Sequence, residues 1–164
     1  MPPERVARDL VAALAAAGST LATAESLTGG LIGAAITAVP GASAVYRGGV
    51  VTYATELKAS LGGVPDDVLA AHGPVAPETA IAMARGVRVR AGADWAVSAT
   101  GVAGPDPQDG HGPGEVWLGF AGPDDAAEAV RIDCVGDRED VRAAAVAEAL
   151  SGLLARLTAA SSRG

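Results

Sequence analysis

One serine stands at a place in the chain where it could act as a nucleophile. Ser26 lies in the segment ESLTGG, residues 25–30, which follows one short apolar run and precedes another. Backbone amides at the start of a helix can bind anions, and a serine there can be a nucleophile, a phosphate ligand or the N-cap residue of the helix. The twin glycines of the segment allow a ligand to approach the backbone closely. The residues alone leave these roles of Ser26 open.

Lys58 could supply the base that such a serine needs. It is the single lysine among the twelve Lys and Arg residues of the chain. Lysine can lose its proton when burial or nearby positive charge lowers its pKa, whereas arginine cannot. A neutral Lys58 could then deprotonate the Ser26 hydroxyl, although a surface lysine on a short helix fits the sequence equally well. Tyr53 could hydrogen-bond either group, or it could be an aromatic residue at the edge of the core.

The sequence does not support several other kinds of site. It contains no GxxxxGK[ST] phosphate loop, no GxGxxG dinucleotide motif and no GxSxG nucleophile motif. His72 and His111 lie far apart, Cys134 is the one cysteine, and none of them shows the spacing of metal ligands. We therefore expect neither a metal ion nor a cofactor, and a Ser-His-Asp triad is not indicated.

The elements that would position Ser26 and Lys58 alternate along the chain. Strands are predicted over residues 20–24, 47–54, 94–99, 115–121 and 127–135, and helices over residues 2–17, 27–39, 55–61, 65–71, 77–91 and 137–157. This order predicts one α/β domain over residues 1–164, a three-layer α/β/α sandwich with a mixed, mainly parallel sheet, and a frayed tail from about residue 158. Ligands bind beyond the carboxyl ends of strands in such sheets, where residues 25–30, 53–58, 100–106 and 136–138 are predicted to lie.

Charge and hydropathy argue against two classes of partner. The formal net charge is −7, whereas a nucleic-acid-binding protein is expected to carry a basic face, so we expect no nucleic-acid partner. The N-terminal MPPERVARDL lacks the apolar centre of a signal peptide, and no long apolar run is free of Gly and Pro. These features predict a cytoplasmic protein without a membrane partner.

Taken together, five segments resemble the C-terminal domain of the CinA family. They are TAESLTGG (residues 23–30), VPGASAVYRGGVVTYATELKASLGGV (39–64), HGPVAPETA (72–80), ATGVAGPD (99–106) and GDRE (136–139). Each segment alone would be a weak match, but their order makes the resemblance specific, and it extends over nearly the whole chain. The fold of this family is an α/β/α sandwich, which agrees with the elements predicted above.

The resemblance implies an activity and a set of site residues. Active members of the family hydrolyse the carboxamide of nicotinamide mononucleotide, which gives nicotinic acid mononucleotide and ammonia for pyridine-nucleotide salvage. Ser26 would be the nucleophile and Lys58 the general base, with Tyr53 in support, while Arg138 would hold the phosphate. The residues implied to line the substrate and oxyanion positions are Thr28, Gly29, Gly30, Ser43, Thr100 and Gly101.

The sequence also departs from the family pattern. Leu27 stands where the family often has a cysteine, and residues 107–113 (PQDGHGP) differ from the usual lysine-bearing loop. Many members carry a larger N-terminal domain linked to pyrophosphatase activity, and we expect that second activity to be absent here. A non-catalytic, nucleotide-binding, competence- or damage-related protein is the alternative to the amidohydrolase. We expect a homodimer, because small Ala-rich helices can pack against a second subunit.

Overall fold

A five-stranded mixed sheet runs through the middle of the molecule. The computed structural model describes all 164 residues. The strands stand in the order β2-β1-β3-β4-β5, and the two pairings among β2, β1 and β3 are parallel. Only β4 runs in the opposite direction, so four of the five strands point the same way. The strands are β1 (Leu21–Glu25), β2 (Tyr46–Val51), β3 (Trp95–Gly101), β4 (Glu115–Ala121) and β5 (Ala127–Asp133).

Helices cover both faces of this sheet and form two separate cores. The helices are α1 (Pro3–Ala17), α2 (Leu31–Thr37), α3 (Thr55–Ser60), α4 (Asp66–His72), α5 (Pro77–Ala91) and α6 (Arg138–Ser161). The larger core joins α1, α2 and α6 to one face, and the smaller core joins α5 to the other. Adjacent residues of β3 face opposite cores, since Val97 belongs to the larger core and Ala96 to the smaller. The predicted three-layer α/β/α sandwich with a mixed sheet is confirmed.

The long C-terminal helix is a core element. Its predicted apolar stripe of Val141, Ala145, Ala149 and Leu153 is buried, and it packs against α1. By length and composition alone α6 could cross a membrane, but here its stripe is covered by the rest of the fold. The helix continues to Ser161, so the frayed tail predicted from about residue 158 is helical over its first four residues.

Two elements differ from the sequence predictions near the end of β1. The helix predicted from residue 27 begins at Leu31, because residues 26–30 form turns instead. Strand β2 ends at Val51, three residues before the predicted end, and the chain then turns into α3. Both differences lengthen the irregular segments at the carboxyl edge of the sheet.

Candidate active site

A cleft opens at the carboxyl ends of β1, β2 and β3. Its volume is about 420 Å³, within the range of small-molecule sites. Ser26 follows the middle of these three strands, so the segments after β2 and β3 flank it on either side. The predicted site residues that line the cleft are Ser26, Tyr53, Lys58, Thr100, Gly101 and Arg138.

The amine of Lys58 lies against the hydroxyl of Ser26. Lys58 Nζ donates to Ser26 Oγ at 3.1 Å and to the carbonyl oxygen of Thr52 at 2.7 Å. Lys58 is only 1% exposed, although it belongs to a six-residue helix whose other residues are not buried. Burial lowers the pKa of Lys58 from 10.5 to about 8, while the charge of Glu56 acts in the opposite direction. The alternative of a surface lysine is therefore wrong.

Ser26 is not the cap of a helix. The residue that precedes α2 is Gly30, and no side chain caps this helix. Ser26 instead begins a tight turn, in which its carbonyl oxygen accepts from the amide of Gly29 at 3.0 Å. The amide of Ser26 donates to Ala99 of β3 at 3.0 Å, which ties the turn to the neighbouring strand. Of the roles left open by the sequence, the N-cap role is excluded.

Glu25 occupies the amides that the sequence suggested for an anion. Its carboxylate is 2% exposed and accepts from the amides of Gly30 at 3.2 Å, Ile32 at 2.9 Å and Gly33 at 3.0 Å. A carboxylate favours the amides at a helix start for the same electrostatic reason as a phosphate does. The amides of Gly29 and Gly30 are therefore not available to a substrate. An acidic residue two positions before the predicted start of the helix is the sequence signal for this role.

Tyr53 contacts Arg138 and neither of the two groups predicted for it. Its hydroxyl accepts from Arg138 Nη2 at 3.1 Å, and its side chain is exposed at the mouth of the cleft. Arg138 Nη1 donates to the carbonyl oxygen of Gly104 at 2.7 Å. Arg138 is the first residue of α6, and Asp137 caps that helix through the amides of Glu139 and Asp140. These contacts hold a guanidinium at the cleft.

Two further predicted residues lie close to Ser26. Thr100 lies at the cleft, where its hydroxyl donates to the carbonyl oxygen of Pro74 at 2.5 Å. Thr28 is fully buried two residues after Ser26, and its hydroxyl has no hydrogen-bond partner. The structure thus places Thr28 behind the wall of the cleft and Thr100 on it.

Ser43 is not brought to the cleft of its own chain. It is exposed in a short 3-10 helix, Ala42–Ala44, that precedes β2. The cleft lies at the other end of that strand, and six residues of strand span ~20 Å. The expected placement of Ser43 is therefore wrong within one protomer, because parallel strands put their two ends at opposite edges of the sheet.

The loop after β3 forms one side of the cleft. Seven of its residues, 102–108, line the cavity, and Gln108 pairs with His111 through two backbone hydrogen bonds. His111 Nδ1 lies 2.8 Å from Glu115 Oε2 at the base of the loop. Burial raises the pKa of Glu115, but hydrogen bonds from His111 and Trp117, together with the charges of His111 and Arg131, outweigh it, so the net shift is downward. The loop is therefore anchored at its base through Glu115.

The chain matches a known family over almost its whole length. Residues 3–157 match the family described as the CinA C-terminal domain. The chain belongs to this family. Two relatives of this CinA domain are a putative competence-damage inducible protein of Halalkalibacterium halodurans, 50% identical over 81% of this chain, and a CinA-like protein of Frankia casuarinae, 53% identical over 80%. The matched regions are 32% and 30% of those relatives, so the CinA domain spans about a third of their length.

Solved structures have the same fold as this CinA domain. A competence-damaged protein (CinA) superfamily protein from Klebsiella pneumoniae superposes with a TM-score of 0.92 at 35% identity, covering 96% of this chain and 99% of that one. One from Escherichia coli gives 0.89 at 30% identity, covering 96% and 90%. These similarities support both the family and the three-layer architecture.

Proposed function

We propose that this CinA domain hydrolyses the carboxamide of nicotinamide mononucleotide to nicotinic acid mononucleotide and ammonia. The observation that carries the proposal is the buried amine of Lys58, 3.1 Å from Ser26 Oγ. An amine with a pKa of about 8 is partly neutral near pH 7 and can act as a general base. The pair therefore meets the requirement of a nucleophilic hydroxyl held against its base.

The first half of the reaction forms an ester on Ser26. Neutral Lys58 accepts the hydroxyl proton of Ser26 as Oγ attacks the amide carbon and the carbonyl oxygen becomes an oxyanion. The C–N bond then breaks, and Lys58 gives its proton to the leaving nitrogen, which departs as ammonia. The carbonyl oxygen of Thr52, which accepts a second hydrogen bond from Nζ, keeps the amine directed at Ser26 throughout.

The second half restores the enzyme. Lys58 accepts a proton from water as the water oxygen attacks the ester carbon. The bond from that carbon to Ser26 Oγ breaks, and Oγ recovers its proton from Lys58. The net change is one amide and one water converted to one carboxylic acid and one ammonia, with no metal or cofactor in either half.

A backbone amide next to Ser26 would stabilise the oxyanion. The amide of Leu27 donates to no acceptor in the chain, and Leu27 lines the cleft. The amide that follows a nucleophilic serine is a common oxyanion donor in hydrolases. This amide replaces those of Gly29 and Gly30, which the sequence suggested and which are already used.

Arg138 is the group that we assign to the phosphate of the substrate. A guanidinium binds phosphate through charge-assisted hydrogen bonds. The contacts of Arg138 with Gly104 and Tyr53 hold it at the cleft, which is large enough for a small ligand. The helix-start amides of α2 cannot take this role, because Glu25 fills them.

Ammonia release from nicotinamide mononucleotide by the purified chain tests the proposal. Wild type is expected to release ammonia, whereas Ser26→Ala and Lys58→Ala are each expected to lower kcat by at least about 10³-fold. Ser60→Ala is the matched control, because Ser60 is an exposed serine of α3 whose hydroxyl bonds only the carbonyl of Glu56. Thermal stabilisation by nicotinic acid mononucleotide without any turnover would instead support a non-catalytic, nucleotide-binding protein.

A further inference from the structure

Three charged side chains line the cleft, and one of them has no part in the proposed reaction. They are Lys58, Asp106 and Arg138. Lys58 is the proposed base and Arg138 the proposed phosphate ligand, but the hydrolysis uses no carboxylate. Asp106 is exposed, and no basic side chain lies within 4.0 Å of its carboxylate oxygens. Its negative charge is therefore free to act on a bound ligand.

Asp106 stands close to the group that would hold the phosphate. Arg138 Nη1 donates to the carbonyl oxygen of Gly104 at 2.7 Å, and Asp106 follows Gly104 by two residues. Two residues of chain span at most about 7 Å, so the two opposite charges lie at the same part of the cleft. A carboxylate there repels a phosphate. A purely anionic ligand is therefore disfavoured, whereas a ligand with a positive charge beside its phosphate matches both side chains.

We propose that Asp106 selects the cationic ring of the substrate, so that the cleft takes zwitterionic pyridinium nucleotides. In nicotinamide mononucleotide the ring nitrogen that bears the ribose carries a positive charge, and the phosphate at the other end of the ribose is negative. Asp106 and Arg138 carry the complementary pair of charges. The inference rests on the proposed function for the choice of substrate, and it adds a residue that distinguishes the cationic ring from a neutral one.

Two ligands that differ in the charge of the ring test this role. Reduced nicotinamide mononucleotide keeps the carboxamide, the ribose and the phosphate, but its dihydropyridine ring is neutral. The Ser26→Ala protein, which lacks the proposed nucleophile, allows the Kd of each form to be measured by titration calorimetry. Repulsion between Asp106 and the phosphate is the same for both forms. A change in the ratio of the two Kd values on substitution of Asp106 therefore reports the ring charge.

Removal of the Asp106 charge is expected to abolish the preference for the cationic ring. In Ser26→Ala we expect the cationic form to bind about tenfold more tightly than the reduced form, and the ratio should fall with added salt. Asp106→Asn in this background should bring the ratio close to one, while Asp106→Glu should keep it. Asp109→Asn is the matched control, because Asp109 is an exposed carboxylate of the same loop that does not line the cleft.

The outcomes separate this inference from the proposed function. A ratio that Asp106→Asn leaves unchanged, or that Asp109→Asn lowers as much, would overturn the role of Asp106. Equal weakening of both ligands by Asp106→Asn would overturn it too, because Asp106 would then contact the ribose hydroxyls. The expected ratios with a wild type that releases no ammonia would refute the hydrolysis and leave the recognition of the ring in place. A protein that binds neither form would refute both.

Discussion

At the scale of single residues, burial of Lys58 determines how activity depends on pH. Since the proposed reaction needs the neutral amine of Lys58, whose pKa is lowered to about 8, kcat/KM is expected to rise about tenfold per pH unit below pH 8 and to level off above it. Ammonia release measured from pH 6.5 to 9.5 checks this, with Ser60→Ala as a control that follows the same curve. A rate independent of pH over this range would exclude Lys58 as the base.

The same shift in pKa makes the stability of the fold depend on pH. The unfolded chain holds the Lys58 proton up to about pH 10.5, but the folded chain releases it above about pH 8. Between these values the unfolded state binds more protons, so stability rises with pH. The free energy of unfolding of wild type, relative to that of Lys58→Met, is expected to rise by about 3 kcal/mol from pH 7 to pH 11. Denaturant unfolding of both proteins measures it, and parallel curves would contradict it.

At the scale of elements, the cap at the start of α6 contributes both to the stability of that helix and to the position of Arg138 at the cleft. Asp137 accepts from two amides of the first turn, and Asp140 accepts in return from the amide of Asp137 at 3.0 Å. This capping box fixes the backbone between them, which includes Arg138, whose guanidinium lies at the cleft. The position of Arg138 therefore depends on the cap as well as on its own contacts.

Removal of this cap is expected to affect both stability and binding. Asp137→Ala should lower the free energy of unfolding by ~1 kcal/mol and raise KM, with little change in kcat, because the chemistry at Ser26 is not touched. Denaturant unfolding and steady-state kinetics measure the two effects. Asp9→Ala, at an exposed position of α1, is the control. An unchanged KM together with the loss of stability would show that Arg138 does not depend on the cap.

The elements themselves could be predicted better than their junctions. The bounds of α5 and β4 agree with the sequence predictions, because apolar spacing and flanking Pro and Gly residues are local signals. The start of α2 was predicted four residues early. A helix that began at residue 27 would use the amides of Ile32 and Gly33 for its own first hydrogen bonds, but these amides donate to the carboxylate of Glu25 instead. The partner of Tyr53 is 85 residues away in Arg138, and no spacing within a segment indicates such a contact.

At the scale of the whole molecule, the position of Ser43 bears on the oligomeric state. The resemblance places Ser43 in the site, but it lies at the far edge of the sheet from its own cleft. Only a second copy of the chain could bring it to a cleft. A role for Ser43 in the site therefore depends on the proposed homodimer.

Mixing two variants tests this dependence. If a partner supplies Ser43, Ser26→Ala and Ser43→Ala are each inactive as pure dimers. An equal mixture should then recover about a quarter of wild-type activity, since half of the dimers are mixed and each has one intact site. Sedimentation of wild type gives the mass of the assembly. Full activity of Ser43→Ala would instead show that Ser43 has no part in the site.

The bond from Glu25 to the start of α2 has a consequence for how the substrate range could evolve. A phosphate site made of helix amides belongs to the main chain and cannot be removed by exchanging a side chain. Here those amides are filled, and the proposed phosphate site is left to the guanidinium of Arg138, which one codon encodes. The proposed amide chemistry at Ser26 and the proposed selection of a charged ligand are therefore genetically separable. Substitution of Arg138 alone could shift the substrate preference towards uncharged amides, while Ser26 and Lys58 stay unchanged.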